Sequence, residues 1–192
     1  VNILGATPLD FSANGQVQSI ARRLTEGGFS VQSVWAMGSE TAAIDRAGEA
    51  EGNLVVSSVG LPVAKFLRER FGMPYVLGAP LGDTVSALLL GALQKSIHTG
   101  ENEILPAGMP DTPDTVILGE SVTSRSLAAA LLLDYGLCAE VICPVELPRE
   151  LEGSFCRQIE DEHDLQAALS GARRVIADPL FAPIVPQGAQ FF

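Results

Sequence analysis

The sequence predicts an α/β protein made of two consecutive Rossmann-like domains, each a βα repeat on a parallel sheet. Three observations carry this expectation. Short apolar runs alternate with stretches of helical period along the whole chain. Hydrophobic residues make up 47% of the 192 positions, ample material for a buried core. A Pro/Gly-rich stretch interrupts the alternation once, at residues 99–113, and the pattern then resumes. The expected organisation is therefore a first domain over 1–98, a linker over 99–113 and a second domain over 114–192.

Val1–Leu4 reads as the opening strand, and Val17, Ile20, Ala21 and Leu24 then mark one face of a helix stopped by Gly27-Gly28. Phe29–Trp35 is strand-like, and Ser39–Ala47 reads as a short helix capped by Ser39. Leu54–Val56 is the third strand. Pro62 fits the first turn of the next helix, whose expected face is Val63, Phe66, Leu67 and Arg70. Pro74–Leu77 is the fourth strand, and Asp83 the expected cap of a long helix facing inward through Val85, Leu88, Leu89 and Ala92. The second domain repeats the scheme: strand 115–118, helix 121–135 ended by Gly136, strand 139–143, short helix 161–169 and strand 174–177. This alternation implies right-handed crossovers and parallel strands.

Charge narrows the function classes. There are 23 acidic against 12 basic residues, a formal net charge of −11, and no basic run denser than Arg22-Arg23 or Arg173-Arg174. A nucleic-acid surface needs clustered Lys and Arg to track phosphates, so none is expected. The acid excess suits solubility or a basic partner. No run approaches the length of a membrane span, and nothing at the start resembles a signal peptide. The chain begins at Val1 within a strand pattern, which reads as an excised fragment. Three cysteines without a CxxC pair argue against a disulfide framework or a zinc ribbon, and a reducing cytoplasm is the expected compartment.

Several chemistries lack their motif. No three-glycine dinucleotide fingerprint follows the first strand, and neither a GxxxxGK[ST] phosphate loop nor a GxSxG nucleophile elbow occurs. His98 and His163 fall at helix ends and read as ordinary polar residues. Cys138 and Cys143 are five apart on a strand and so point to opposite faces; with Cys156 they read as core packing, too scattered to hold an iron–sulfur cluster.

Ligands of open parallel sheets bind past the carboxyl ends of the strands, which nominates the loops. These are Thr7–Asp10 with Ser12 and Asn14, Ala36–Ser39, Ser57–Gly60, Gly78–Gly82, Gly119–Arg125 and Asp178–Phe181. Facing sets of such loops would make a cleft between the domains. Thr7, Ser57, Ser58 and Arg125 are the candidate cofactor-binding residues. The alternative is turn and cap chemistry, in which Ser57 and Ser58 start the Pro62 helix. Arg125 is a cation in a helix's first turn, against the dipole. An anionic ligand, a nearby carboxylate or a solvent-facing turn would each account for it.

Val1-Asn-Ile-Leu-Gly5, Val34-Trp-Ala-Met-Gly38, Asn53-Leu-Val-Val56 and Lys65-Phe-Leu-Arg-Glu-Arg-Phe-Gly-Met-Pro-Tyr75 together resemble the nitrogenase component 1 family. Asp114-Thr-Val-Ile-Leu-Gly-Glu120 extends the resemblance into the second domain. The resemblance implies a fragment covering the second and third of a subunit's three α/β domains. The cysteines for the electron-relaying cluster would then belong to a preceding domain. It places Ser57 where the catalytic molybdenum-type subunit has a cofactor-ligating cysteine, and implies no metal ligand in this fragment. An iron–sulfur or related metallocluster is expected in the full-length protein. So are a dimer or heterotetramer with a homologous subunit, and an ATP-dependent iron–sulfur reductase as electron donor. The activity implied is low-potential, multi-electron reduction. The alternatives are a non-catalytic scaffold for cluster assembly and a two-domain small-molecule binding protein.

Overall fold

The computed structural model describes residues 1–8, 11, 15–105, 113–153 and 155–192. Asp10, Ser12 and Asn14 of the first candidate loop lie outside them, as do residues 106–112 of the expected linker. The chain divides into two compact units, Val1–Leu105 and Pro106–Phe192.

The first unit has five parallel strands: β1 (Asn2–Ala6), β2 (Ser33–Ala36), β3 (Asn53–Val55), β4 (Tyr75–Leu77) and β5 (Glu103–Ile104), in the order β2-β1-β3-β4-β5. Strands β1, β3 and β4 are buried along their whole length. That is why they are mostly apolar without period-2 alternation, the buried Asn2 and Asn53 at their starts excepted. Four helices connect them: α1 (Gln16–Glu26), α2 (Thr41–Asp45), α3 (Leu61–Phe71) and α4 (Asp83–Thr99). Helix α1 buries Val17, Ile20 and Leu24, the expected stripe.

Two helices turn differently from expectation. Helix α3 packs through Leu61, Ala64 and Leu67 and leaves Phe66 60% exposed. Helix α4 packs through Val85, Leu89 and Leu93, with Leu88 outward. Ser86 and Ser96 join its inner face because their hydroxyls donate to the Gly82 and Glu101 carbonyls, so polar residues sit in the stripe without an unmet hydrogen bond. Gly82, not Asp83, is the N-cap of α4; the Asp83 carboxylate instead pairs with Arg23 at 3.0 Å. Ser39 likewise does not cap α2, because its hydroxyl accepts from the Val34 N–H.

The stretch 99–113 is not all linker. It opens inside the last turn of α4 and includes β5, which pairs with β4 through Val76↔Glu103 and Leu77↔Ile104.

The second unit has its own parallel sheet, order β10-β9-β6-β7-β8. The strands are β6 (Thr115–Leu118), β7 (Ala139–Cys143), β8 (Cys156–Gln158), β9 (Arg174–Ala177) and β10 (Gln190–Phe191). Helices α5 (Ser121–Tyr135) and α6 (Glu162–Leu169) connect them, and Val116, Leu118, Ile142, Leu165, Leu169 and Val175 centre its core. Leu54–Val56 and Thr115–Leu118 thus belong to separate sheets, as the interrupted pattern predicts. No helix among the described residues is long and apolar enough to cross a membrane.

Candidate functional site

In the first sheet the strand order reverses between β1 and β3, because the chain steps from β1 out to β2 and returns on the other side of β1. In a doubly wound sheet that switch point, at the carboxyl ends, is where ligands bind. Leu4 pairs with Val55, so Thr7 and the Ser57-Ser58 pair follow neighbouring strands at this edge. Thr7 and Ser58 are partly exposed. Ser57 is fully buried, at 0%.

The burial of Ser57 comes from a close backbone approach. The Gly5 Cα faces the Ser57 carbonyl so tightly that an added Cβ would lie 2.7 Å from that oxygen. Ser58–Gly60 forms a single 3-10 turn leading into α3, and Ser57 precedes it without a side-chain cap. The small residues at Ser57 and Gly60 therefore let the loop seat on β1, and the space they leave is occupied by the chain itself.

Arg125 belongs to the second unit. Its guanidinium donates to the Leu151 carbonyl at 3.1 Å, so the cation bridges α5 to the segment before β8. Glu120 is the N-cap of α5 and accepts from the Val122 and Thr123 N–H groups and from the Ser121 and Thr123 hydroxyls. That carboxylate neutralises the positive end of the helix in which Arg125 sits.

One juxtaposition is not foreseen from the sequence. The Cys143 and Cys156 sulfurs are 3.7 Å apart, both side chains fully buried. Cys143 ends β7 and Cys156 begins β8, and the two share a face because Cys156 is in register with Val141, two residues before Cys143. The two thiols share a hydrogen bond, and this bond, together with burial, raises the Cys143 thiol. The same bond and the Arg125 guanidinium lower the Cys156 thiol against the opposing effect of burial. Comparing Cys138 with Cys143 along one strand conceals the pair; only the strand order, β7 beside β8, reveals it.

Among the described residues no group of three or more His, Cys, Asp or Glu stands close enough to hold a metal ion. Two surface hollows lie in the second unit. One is beside Arg157, Gln158 and Asp164; the other is at the amino ends of β6 and β9 beside Asp114 and Arg174. Neither contains Thr7, Ser57, Ser58 or Arg125.

Strand order, all-parallel pairing and loop-borne small polar residues put both units in the doubly wound α/β class. Within it, the chain belongs to the nitrogenase component 1 type oxidoreductases, whose family model matches residues 1–120. Among curated proteins it is similar to one of the subunits of light-independent protochlorophyllide reductase. The protein from Nostoc punctiforme is 30% identical over 105 residues, covering 54% of this chain and 21% of that one. That from Chlorobium luteolum is 34% identical over 114 residues, covering 58% and 22%. The chain thus spans about a fifth of the length of these relatives. A solved D-lactate dehydrogenase with NAD+ from Lactobacillus jensenii is 11% identical, covering 92% of this chain and 61% of that one, at a TM-score of 0.27, too slight a likeness to carry an argument.

Proposed function

We propose that the chain is the switch-point part of a nitrogenase-like reductase subunit that carries out low-potential, multi-electron reduction in the cytoplasm. The family match over residues 1–120 carries this reading. The proposed roles are these: Thr7 and Ser58 form the accessible rim of a ligand site at the ends of β1 and β3, and Ser57 holds the loop from within. Arg125 fixes the start of α5 beside the second sheet.

The residues present do not fit a metallocluster. Ser57 is buried, and a hydroxyl is a poor donor to soft metals beside a thiolate; the two close cysteines fall short of the ligands a cluster takes. The iron–sulfur or related cluster is therefore held mainly by parts of the full-length protein outside this chain. The working assembly is a dimer or heterotetramer with a homologous subunit, supplied with electrons by an ATP-dependent iron–sulfur reductase.

The test uses the full-length protein purified without oxygen. Metal analysis and electron paramagnetic resonance should find iron, labile sulfide and a cluster signal, and their absence would sink the reading. Turnover is then followed with protochlorophyllide, the compound in the relatives' name, as first probe. Ser58→Trp and Thr7→Val should lower it while circular dichroism is unchanged. Full activity in both would displace the site from this edge. Ser57→Leu tests packing, because that side chain has no access to solvent.

A further inference from the structure

The buried Cys143–Cys156 pair has chemistry of its own, independent of the reductase reading. We propose that these two cysteines form a two-thiolate site for a monovalent, thiophilic d10 cation of the copper(I) class.

Geometry chooses among the things two thiols can do. Cys156 is in register with Val141 and Cys143 with Gln158, so the cysteines are diagonal neighbours on parallel strands. Strands ~4.8 Å apart rising ~3.3 Å per residue put their Cα atoms about 8 Å from each other. A disulfide needs Cα atoms within about 7 Å, so closing one would require β8 to shear along β7. A bridging ion needs no such movement. Two metal–thiolate bonds of ~2.3 Å hold sulfurs about 3.8 Å apart at a tetrahedral angle and ~4.6 Å apart in a line. From the observed 3.7 Å, either arrangement is reached by side-chain rotation of less than about 1 Å at the sulfurs.

Ligand number selects the ion. Four-coordinate ions lack partners, since no third His, Cys, Asp or Glu among the described residues completes such a group. Soft monovalent copper accepts two thiolates alone. Loading moves no electrons: M⁺ and two thiols give a bis-thiolate complex of charge −1 and release two protons. The Arg125 guanidinium beside Cys156, held in place by the Leu151 carbonyl, compensates that charge. The Glu120 carboxylate also faces the pair, but the α5 N–H groups and two hydroxyls already engage it. Both cysteine side chains are fully buried, so loading proceeds through local opening of the unit.

The experiment titrates this chain with copper(I) without oxygen, against a chromophoric copper(I) chelator, and examines the loaded protein by X-ray absorption. One ion per chain, with two sulfurs at about 2.2–2.3 Å and no other near ligand, is expected. Cys138→Ser should bind as the wild type does, whereas Cys143→Ser and Cys156→Ser should each lose at least ~10-fold in affinity. Undiminished binding by a folded Cys143→Ser variant overturns the proposal. If either variant fails to fold, the wild-type absorption spectrum decides: three or more sulfurs, or nitrogen or oxygen ligands, overturn it. No copper held against the chelator beyond what a small free thiol holds also overturns it.

Discussion

Gly60 lies so close to Gly5 that a Cβ added to Gly60 would stand 2.7 Å from the Gly5 nitrogen and 2.6 Å from the Leu4 carbonyl carbon. The end of β1 and the turn after β3 meet backbone to backbone, with no side chain able to yield. Gly60→Ala should therefore destabilise the first unit by ~1–3 kcal/mol. Gly91, inside α4, has open space around it, and Gly91→Ala should stabilise by up to ~1 kcal/mol. Urea denaturation followed by circular dichroism separates the two. Equal midpoints would show that the turn shifts at no cost.

Asn2 sits at the centre of a buried polar chain at the amino ends of β1, β2 and β3. Its amide donates to the Ala47 carbonyl and to Asn53 Oδ1, and its oxygen accepts from the Ser33 hydroxyl. Asn2→Leu would leave those partners buried without it, and each orphaned group costs ~1–3 kcal/mol. We expect a loss of at least ~2 kcal/mol and faster amide exchange at Asn53. A neutral substitution would mean that water takes the place of the side chain.

Glutamate is an uncommon N-cap, and here it accepts two backbone and two hydroxyl hydrogen bonds at the start of α5. Glu120→Ala should lower the stability of the second unit by ~1–2 kcal/mol, with Glu120→Gln intermediate because it keeps an acceptor. If Glu120→Ala is as stable as the wild type, the hydroxyls cap the helix unaided.

Asp114 is held below the ordinary carboxylate range, chiefly by the hydrogen bond from Arg174 and further by the Thr115 hydroxyl and the charges of Arg174 and Arg173. A carboxyl depressed in the folded state adds stability above its unfolded value and loses it as pH falls through the folded one. The wild type's advantage over Asp114→Asn should thus be constant near neutrality and shrink below about pH 4. It should stay under ~1 kcal/mol, because the pair is partly solvated. An advantage that grows on acidification would contradict the assignment.

The fold is legible wherever burial writes a pattern. The central strands are apolar past their first residues, and Val17, Ile20 and Leu24 mark a true inner face. The short strands β5, β8 and β10 are not, because two or three residues carry no periodicity and only a neighbouring strand defines them. Phe66 misleads in α3: hydrophobicity places it inside, whereas Leu61, Ala64 and Leu67 form the buried face and Phe66 points outward. At the candidate site the strand-end rule locates Thr7, Ser57 and Ser58 on one edge. It cannot foresee that Gly5 and Gly60 draw Ser57 out of reach, since that depends on two backbones meeting across 55 residues.

Trp35, the chain's single tryptophan, donates its indole N–H to the Ser33 hydroxyl and so ties the only strong native fluorophore to the polar chain at the amino ends of the first sheet's strands. Emission therefore reports on Val1–Leu105, the unit in which the indole sits. With two cores that need not melt together, a tryptophan-detected midpoint describes half of this polypeptide, and apparent two-state behaviour from that probe says nothing of cooperativity across the whole.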